Sequence, residues 1–137
     1  MSTDDACLPA LLAAARAARA QAYAPYSRFL VGAALLDEHG RIHAGCNVEN
    51  AAYPQGQCAE ATAIGQLVLA GGRRILGAVV VGVAPQPVTP CGGCRQRLRE
   101  FAAGDVPVWV ADLDTVRARF TLGQLLPASF GPAHLGP

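Results

Sequence analysis

Three cysteines and one glutamate, in two separate stretches, are the residues whose types and spacing are best suited to chemistry. Cys58 is followed two residues later by Glu60, and Pro90 is followed by Cys91 and Cys94. Thiolate sulfur is a preferred ligand of Zn²⁺, and three protein ligands leave a fourth tetrahedral position for water, as in catalytic zinc sites. A glutamate that is not a ligand can then move protons beside the metal. The pattern favours a zinc site with three thiolate ligands and a nearby proton carrier.

Both stretches are predicted to lie at the N-termini of helices. Cys58 opens a helix that runs to about residue 70, where Gly71 and Gly72 end it. Pro90 precedes a helix over residues 91–101, because proline is well tolerated where a helix begins. The two cysteines of that helix then share one face of its first turn. A helix N-terminus stabilises thiolates. If the two helices lie side by side on a sheet, the three sulfur atoms at their N-termini can converge.

Each part of this pattern also has an ordinary interpretation. The downstream cysteine pair alone would fit a redox pair or half of a structural zinc site. A glutamate in the first turn of a helix usually makes only a favourable interaction with the helix dipole. Cys7 and Cys46 have no partner at ligand spacing and are interpreted as buried or idle thiols, and His39, His43 and His134 as surface or hydrogen-bonded residues. The combination of both stretches favours catalytic zinc.

The composition predicts one domain over residues 1–137 with a sizeable core. Hydrophobic residues make up 52% of the chain, charged residues 15%, and the formal net charge is +1. A nearly neutral chain builds no strong field for nucleic acid or membrane, which counts against both as partners. No apolar run reaches the roughly 18 residues that span a bilayer, and residues 1–5 are acidic, unlike the start of a signal peptide. With an odd number of cysteines, these features predict a cytoplasmic protein.

The other elements predict a mixed sheet with helices. An alanine-rich apolar stripe at helical spacing indicates a packing helix over residues 8–23, whose basic side, with Arg16 and Arg19, is interpreted as solvated. A short helix is expected at residues 122–126. Strands are predicted at residues 29–36, 41–46, 75–83, 106–111 and 116–120, the first two forming a hairpin and the third an aliphatic run typical of a strand covered on both faces. This order predicts a layered α/β domain.

Several longer motifs resemble one known family, the small zinc-dependent cytidine deaminases of the homotetrameric type. The resemblance covers nearly the whole chain. Its motifs are AYAPYS at 22–27, VGAAL at 31–35, GCNVENA at 45–51, PCGGCRQ at 90–96 and LLPASFG at 125–131. It implies a three-layer α/β/α fold with a mixed five-stranded sheet, and it implies Zn²⁺ as the cofactor.

The resemblance also implies roles for the residues at matching positions. Cys58, Cys91 and Cys94 are expected to be the zinc ligands. Glu60 is expected to be the proton shuttle, and backbone groups near Ala59 and Cys91 are expected to contact the edge of the base.

Further residues are expected to bind the nucleoside. The resemblance implies that Asn47 and Glu49 hold the ribose 3′-hydroxyl and that Phe29 stacks on the pyrimidine. It also implies that Ala51, Tyr53 and Phe130 reach the active site of a neighbouring subunit, so that a homotetramer shares its sites. From the sequence pattern alone, both phenylalanines are interpreted as ordinary core residues.

One position departs from the family pattern. Many relatives have an arginine directly after the catalytic glutamate, where it donates to the ligand thiolates, but here that residue is Ala61. Three thiolates with one Zn²⁺ carry a formal charge of about −1, which opposes ionisation of water at the metal. Alanine cannot offset this charge, so another donor must compensate or ionisation is less favourable. The departure concerns the electrostatics of the site more than the class of reaction.

The implied activity is hydrolytic deamination of free cytidine and 2′-deoxycytidine to uridine and 2′-deoxyuridine, with release of ammonia, as in pyrimidine salvage. A sibling reaction on another cytosine nucleoside, such as a blasticidin-type antibiotic, is the nearest alternative. A polynucleotide-editing deaminase would use the same zinc chemistry, but the near-neutral charge counts against it. A structural-zinc module with no turnover would need a fourth protein ligand.

Overall fold

The computed structural model describes residues 6–136. The acidic start at residues 1–5, on which the expectation of no signal peptide depends, lies outside the described residues. The elements, in chain order, are α1 (Leu8–Ala20), β1 (Val31–Asp37), β2 (Ile42–Cys46), a 3₁₀ turn (Tyr53–Gln55), α2 (Ala59–Leu69), β3 (Ile75–Gly82), α3 (Gly92–Phe101), β4 (Pro107–Ala111), β5 (Val116–Thr121), α4 (Leu122–Leu125) and a second 3₁₀ turn (Pro132–Leu135). The predicted ends of the helices and strands lie within three residues of these.

The strands form one sheet in the order β2-β1-β3-β4-β5. β3 and β4 are parallel, and every other neighbouring pair is antiparallel. A parallel pair needs a crossover connection, which α3 provides here. The predicted fold class, a three-layer α/β/α arrangement with a mixed five-stranded sheet, is confirmed. No helix within residues 6–136 is both long and apolar enough to cross a membrane.

The central strand β3 is buried on both faces because helices cover each side. Alternate strand residues point to opposite faces. On one face α1 packs against β3 and β4, with Leu11 and Ala15 buried beside Val79, Val81 and Trp109. On the other face α2 and α3 form a second cluster, whose buried residues include Ala33, Leu35, Ala63, Leu67, Leu98 and Val108. The two segments that contain the candidate zinc ligands and Glu60, residues 58–60 and 90–94, lie on this second face.

The sequence predicts a solvated basic side for α1, and this interpretation is wrong. Nε of Arg16 donates to the carbonyl oxygen of Asp112 at 3.1 Å, and Nε of Arg19 donates to that of Leu30 at 3.1 Å. Both arginines are half-buried. The carbonyl groups at the ends of strands lack ladder partners, and the guanidinium groups satisfy them. These arginines therefore fasten α1 to the sheet.

A buried carboxylate holds the turn between β1 and β2. Asp37 accepts hydrogen bonds from the backbone N–H groups of His39 and Arg41 and from Nε of Arg41 at 2.9 Å. Nε2 of His43 lies 2.8 Å from the same carboxylate. Burial acts to raise the pKa of Asp37, but these hydrogen bonds outweigh it and hold the pKa well below its ordinary value. His43 is therefore a hydrogen-bonded residue, as predicted.

Two glycines let helices approach the sheet closely. A Cβ on Gly45 of β2 would lie 2.4 Å from the backbone nitrogen of Ala63 and 2.7 Å from the carbonyl oxygen of Ala59, both in α2. On the opposite face, a Cβ on Gly32 of β1 would lie 2.0 Å from the carbonyl oxygen of Ala15 in α1. Because α2 begins at one of the two chemical stretches, Gly45 sets how close that stretch lies to the sheet.

We predict that Gly45→Ala lowers the free energy of unfolding by about 1–3 kcal/mol, because the added methyl forces α2 away from β2. Zinc binding should weaken as well, since α2 carries Cys58 and Glu60 at its start. Gly32→Ala is the matched control, with a similar loss of stability on the α1 face. Denaturant unfolding and zinc titration of both variants measure these effects. Equal zinc affinities of the two variants would contradict this role for Gly45.

Candidate zinc and substrate site

The three predicted zinc ligands lie together at the starts of α2 and α3. Cys58 and Cys91 are the residues that cap the two helices, and Cys94 lies in the first turn of α3. Their sulfur atoms all lie within 4.8 Å of one another, and Sγ of Cys58 is 3.9 Å from Sγ of Cys91. Tetrahedral ligands about 2.3 Å from zinc would stand about 3.8 Å apart. The donor set therefore fits Zn²⁺ in both chemistry and spacing.

The electrostatics of the thiols also favour a cation. The backbone N–H of Cys94, in the first turn of α3, lowers the pKa of Cys91. Burial raises the pKa values of Cys58 and Cys94, and repulsion from neighbouring thiolates and from Glu60 adds to the rise. Three adjacent thiolates are therefore unfavourable by themselves, and a divalent cation at their centre removes that cost.

Glu60 is the buried carboxylate of the site. It lies in the first turn of α2, and only 4% of its surface is exposed. Burial raises its pKa, while its own backbone N–H, the Cys94 thiol and the charge of Arg97 act in the opposite direction. A carboxyl group with a raised pKa beside a metal site is suited to general acid and base catalysis.

A cavity of about 320 Å³ opens beside these residues. Its lining includes Cys58, Ala59, Glu60 and Cys91 from the two helix starts, together with Phe29 and Asn47. An adjoining cavity of about 380 Å³ shares Ser27 and Glu49 with the first and is lined further by Tyr26, Asn50 and Tyr53. Cavities of this size hold a small molecule.

Comparison with known proteins gives a consistent result. The family model described as cytidine and deoxycytidylate deaminase zinc-binding region matches residues 6–110. The chain belongs to this family. A cytidine deaminase of Sporosarcina psychrophila is 46% identical over 125 residues, which cover 91% of this chain and 92% of that protein. A cytidine deaminase of Mycobacterium tuberculosis is 44% identical over 114 residues, covering 83% of this chain and 82% of that one.

Solved structures of the deaminase family share the fold. The crystal structure of cytidine deaminase from Burkholderia pseudomallei has a TM-score of 0.83 and 42% identity, covering 95% of this chain and 100% of that chain. The crystal structure of cytidine deaminase from Mycobacterium tuberculosis has a TM-score of 0.79 and 40% identity, covering 90% of this chain and 97% of that chain. The deaminase fold thus accounts for nearly all of the chain.

Asn47 and Glu49, the residues predicted to hold the ribose, line the cavity but also organise its far wall. The side-chain amide of Asn47 accepts from the N–H of Val31 at 2.9 Å and donates to the carbonyl of Phe29 at 2.8 Å. The carboxylate of Glu49 accepts from the N–H groups of Tyr26 and Ser27 at 2.9 and 3.1 Å and from the Ser27 hydroxyl. The Ser27 contact is foremost in lowering the pKa of Glu49. The sequence did not predict these hydrogen bonds of Asn47 and Glu49 to the surrounding backbone.

The sequence interpretation of both phenylalanines as core residues is wrong. Phe29 is 40% exposed and is one of the residues that line the cavity. Phe130 is 56% exposed and stacks on His134, with ring centroids 4.8 Å apart. Phe130, Tyr53 and Ala51 are exposed and do not line the cavity beside Glu60 in this single chain. The structure therefore brings Phe29 to the cavity beside Glu60, whereas Tyr53 lines only the adjoining cavity and Ala51 and Phe130 line neither.

Val88 and Thr89 also line the cavity and were missed by the sequence analysis. They directly precede Pro90, and that adjacency is the signal that would have found them. The segment that contributes to the site, residues 90–94, therefore extends in the N-terminal direction to residue 88. The cavity wall thus includes the approach to α3 as well as its first turn.

We predict that the purified protein binds about one Zn²⁺ per chain and that Cys94→Ala loses it, because two sulfurs cannot complete the site. Cys46→Ala is the control, since Cys46 lies on β2 outside the sulfur cluster. Metal analysis after dialysis against a chelator measures both. Zinc retained in Cys94→Ala, or lost in Cys46→Ala, would show that the ligands are assigned incorrectly.

Proposed function

We propose that the protein deaminates free cytidine and 2′-deoxycytidine by hydrolysis, producing uridine and 2′-deoxyuridine with release of ammonia. The observation that carries this proposal is the convergence of three thiols beside buried Glu60 on the wall of a small cavity. Membership of the deaminase family and the name cytidine deaminase carried by its relatives support it. We further propose that the whole chain acts as one catalytic domain.

Cys58, Cys91 and Cys94 would hold zinc in this reaction. When bound, the ion supplies Lewis-acid activation of water for attack on the ring carbon that bears the amino group. The thiolates fix the ion beside Glu60, with Cys94 on the buried side of the site and Cys58 and Cys91 on its exposed side. The second chemical role, proton transfer, falls to Glu60.

Glu60 would move protons twice. A carboxylate oxygen of Glu60 accepts a proton from the attacking water and delivers it to the ring nitrogen beside the reacting carbon. The same carboxylate then takes the second proton of that water, from the hydroxyl group now on the ring carbon, and passes it to the departing amino group, which leaves as ammonia. Its burial and raised pKa suit it to holding a proton between these steps. One water enters and one ammonia leaves, so the atoms balance.

The substrate would lie with its base against Phe29 and the backbone of Ala59. The exposed face of Phe29 offers a stacking surface on the cavity wall. The Asn47 amide has a second N–H after its bond to Phe29, and the Glu49 carboxylate has about four acceptor positions, of which three are used. Each residue can therefore make one more hydrogen bond, to a ribose hydroxyl, while it keeps its present hydrogen bonds to the protein.

Two rival functions find less support. A structural zinc site needs a fourth protein ligand, and the cluster among residues 6–136 contains three cysteines. A polynucleotide substrate calls for a basic surface, whereas the net charge of the chain is +1. The observations therefore favour a free nucleoside.

The proposal also covers the oligomeric state of the protein and its cellular compartment. We propose a homotetramer in which Ala51, Tyr53 and Phe130 of one subunit reach the site of the next, because these residues are exposed and do not line the cavity beside Glu60 in their own chain. We also propose that the protein works in the cytoplasm, since thiols that bind zinc are kept reduced there.

The function is tested by the loss of ultraviolet absorbance when the zinc-loaded protein is mixed with cytidine or 2′-deoxycytidine. We expect turnover of both nucleosides and none of cytosine in single-stranded DNA or RNA of equal concentration. Turnover of the polymers alone would make the enzyme a polynucleotide deaminase. Zinc binding without turnover of any of these substrates would support a structural metal site.

We predict that Glu60→Gln keeps the fold and the zinc but lowers kcat by about a thousandfold or more, because glutamine cannot accept the proton from water. Metal analysis and the cytidine assay measure the two properties together. Glu100→Gln is a control on the exposed surface of α3 and should keep wild-type activity. A Glu60→Gln rate near that of the wild type would remove Glu60 from the mechanism.

We predict that Phe130→Ala and Glu60→Gln are each nearly inactive alone and regain activity when their subunits are mixed. Mixing pairs an intact Glu60 from one subunit with an intact Phe130 from another, provided that the sites are shared. Unfolding and refolding the two variants together, followed by the cytidine assay, tests this. No recovery in mixtures that form mixed oligomers would mean that each subunit builds its site alone.

A further inference from the structure

The candidate site carries an excess of negative charge. Three thiolates and the carboxylate of Glu60 sum to a formal charge of about −4, and a Zn²⁺ ion leaves about −2. Ala61, the next residue on α2, is half-buried and has no charge to offset it. Burying net charge is costly unless an opposite charge lies nearby. A cation supplied by the protein is therefore expected close to the sulfur cluster.

Arg97 lies where such a cation is needed. It follows Cys94 by three residues on α3, so the two side chains share one face of the helix. Its guanidinium folds back over the first turn, and a Cβ built on Gly93 would lie 3.2 Å from its Nη1 atom. It also attracts the Glu60 carboxylate electrostatically. Glycine at position 93 leaves room for this conformation.

The same side chain faces Ala61 across a groove between α2 and α3. This α2–α3 groove is lined by Ala61, Ile64, Gly65, Arg97, Glu100 and Phe101. Ala61 directly follows Glu60 in the chain, and its small side chain leaves space in the groove. A long arginine on the neighbouring helix can therefore project toward the space that a larger residue at position 61 would fill.

The Arg97 side chain is exposed, and its guanidinium lies over the N-terminal turn of α3. A cation over the N-terminal turn of a helix opposes the helix dipole, which is positive at that end. Within residues 6–136, no ion pair or hydrogen bond holds the Arg97 guanidinium, and the nearby Glu100 forms no ion pair with it. Besides Glu100, the negative groups of this region are the thiols, once ionised, and Glu60, on which the charge of Arg97 acts.

The other arginines of α3 are occupied elsewhere. Arg95 donates to the carbonyls of Pro90 and Leu125 at 2.7 and 2.8 Å and to the Thr89 hydroxyl at 3.1 Å. Arg99 donates to Oγ of Ser129 at 3.0 Å. These contacts fix loops around the cavity and leave Arg97 as the arginine of α3 that faces the α2–α3 groove.

We propose that Arg97 is a positioning residue whose charge balances the three-thiolate zinc site from across the α2–α3 groove, in place of a cation at position 61. This inference rests on the proposed role of the three cysteines as zinc ligands. Thiols give up protons when they bind zinc, so the loaded site is more negative than the empty one. A nearby guanidinium therefore favours the loaded form, and its charge matters more than its shape.

The experiment compares the zinc affinities of Arg97→Gln, Arg97→Lys and the wild type by competition with a chromophoric chelator. We expect Arg97→Gln to bind zinc about fivefold more weakly, the size of effect of one partly exposed charge, and Arg97→Lys to stay near the wild type. The difference should shrink between about 0.01 M and 1 M salt, because salt screens an exposed charge. Arg74→Gln, before β3 at the opposite end from the site, is the matched control for loss of one positive charge.

A rescue separates charge balance from a structural role. Adding Ala61→Arg to Arg97→Gln returns a guanidinium to the same groove and should restore zinc affinity. Equal affinities of Arg97→Gln and the wild type, an equal loss in Arg74→Gln, or no rescue would overturn the inference. The wild-type protein separates the two proposals. Failure to bind zinc refutes both the proposed function and this inference, whereas zinc binding without turnover of cytidine refutes the proposed function alone. A wild type that does both leaves the function standing whatever the Arg97 variants show.

Discussion

The site depends on bringing two helix N-termini to within sulfur-contact distance on one face of a sheet. The parallel strands β3 and β4 require a crossover, and α3 starts that crossover near the end of β3. α2 packs on the same face, so Cys58 and Cys91 end up 3.9 Å apart at their sulfurs. Gly45 and Ala63 remove the bulk that would separate α2 from β2. These small residues between α2 and the sheet therefore determine the position of the sulfur cluster.

This proximity creates a problem of charge that the surrounding residues reduce. Thiols beside a buried carboxylate repel one another once ionised, and burial raises the pKa values of Cys58, Cys94 and Glu60. Helix N-terminal N–H groups offset part of the cost, as the lowered pKa of Cys91 shows. A divalent cation offsets most of the remainder, and the Arg97 side chain lies nearby as a further positive charge. Metal binding and helix packing are therefore coupled in this fold.

The fold and the convergence of the three cysteines could be predicted from sequence because their signals are local. An aliphatic run of a few residues is enough to indicate the buried strand β3, and two consecutive glycines are enough to indicate the end of α2. Gly71 does adopt a left-handed conformation, with φ of +95°. The exposure of Phe29 depends on where its loop folds over the sheet, which hydrophobicity does not specify. The contacts of Glu49 with Tyr26 and Ser27 span more than twenty residues, so spacing cannot predict them. Arg97 was missed because its role depends on the neighbouring helix.

The open zinc site is the central claim, and X-ray absorption at the zinc edge of the loaded protein tests it most directly. Three cysteine ligands with a free fourth position predict three sulfur neighbours at about 2.3 Å and one lighter neighbour at about 2.0 Å. A spectrum with four sulfur neighbours would contradict the account. It would mean that a further cysteine closes the site and that the metal is structural.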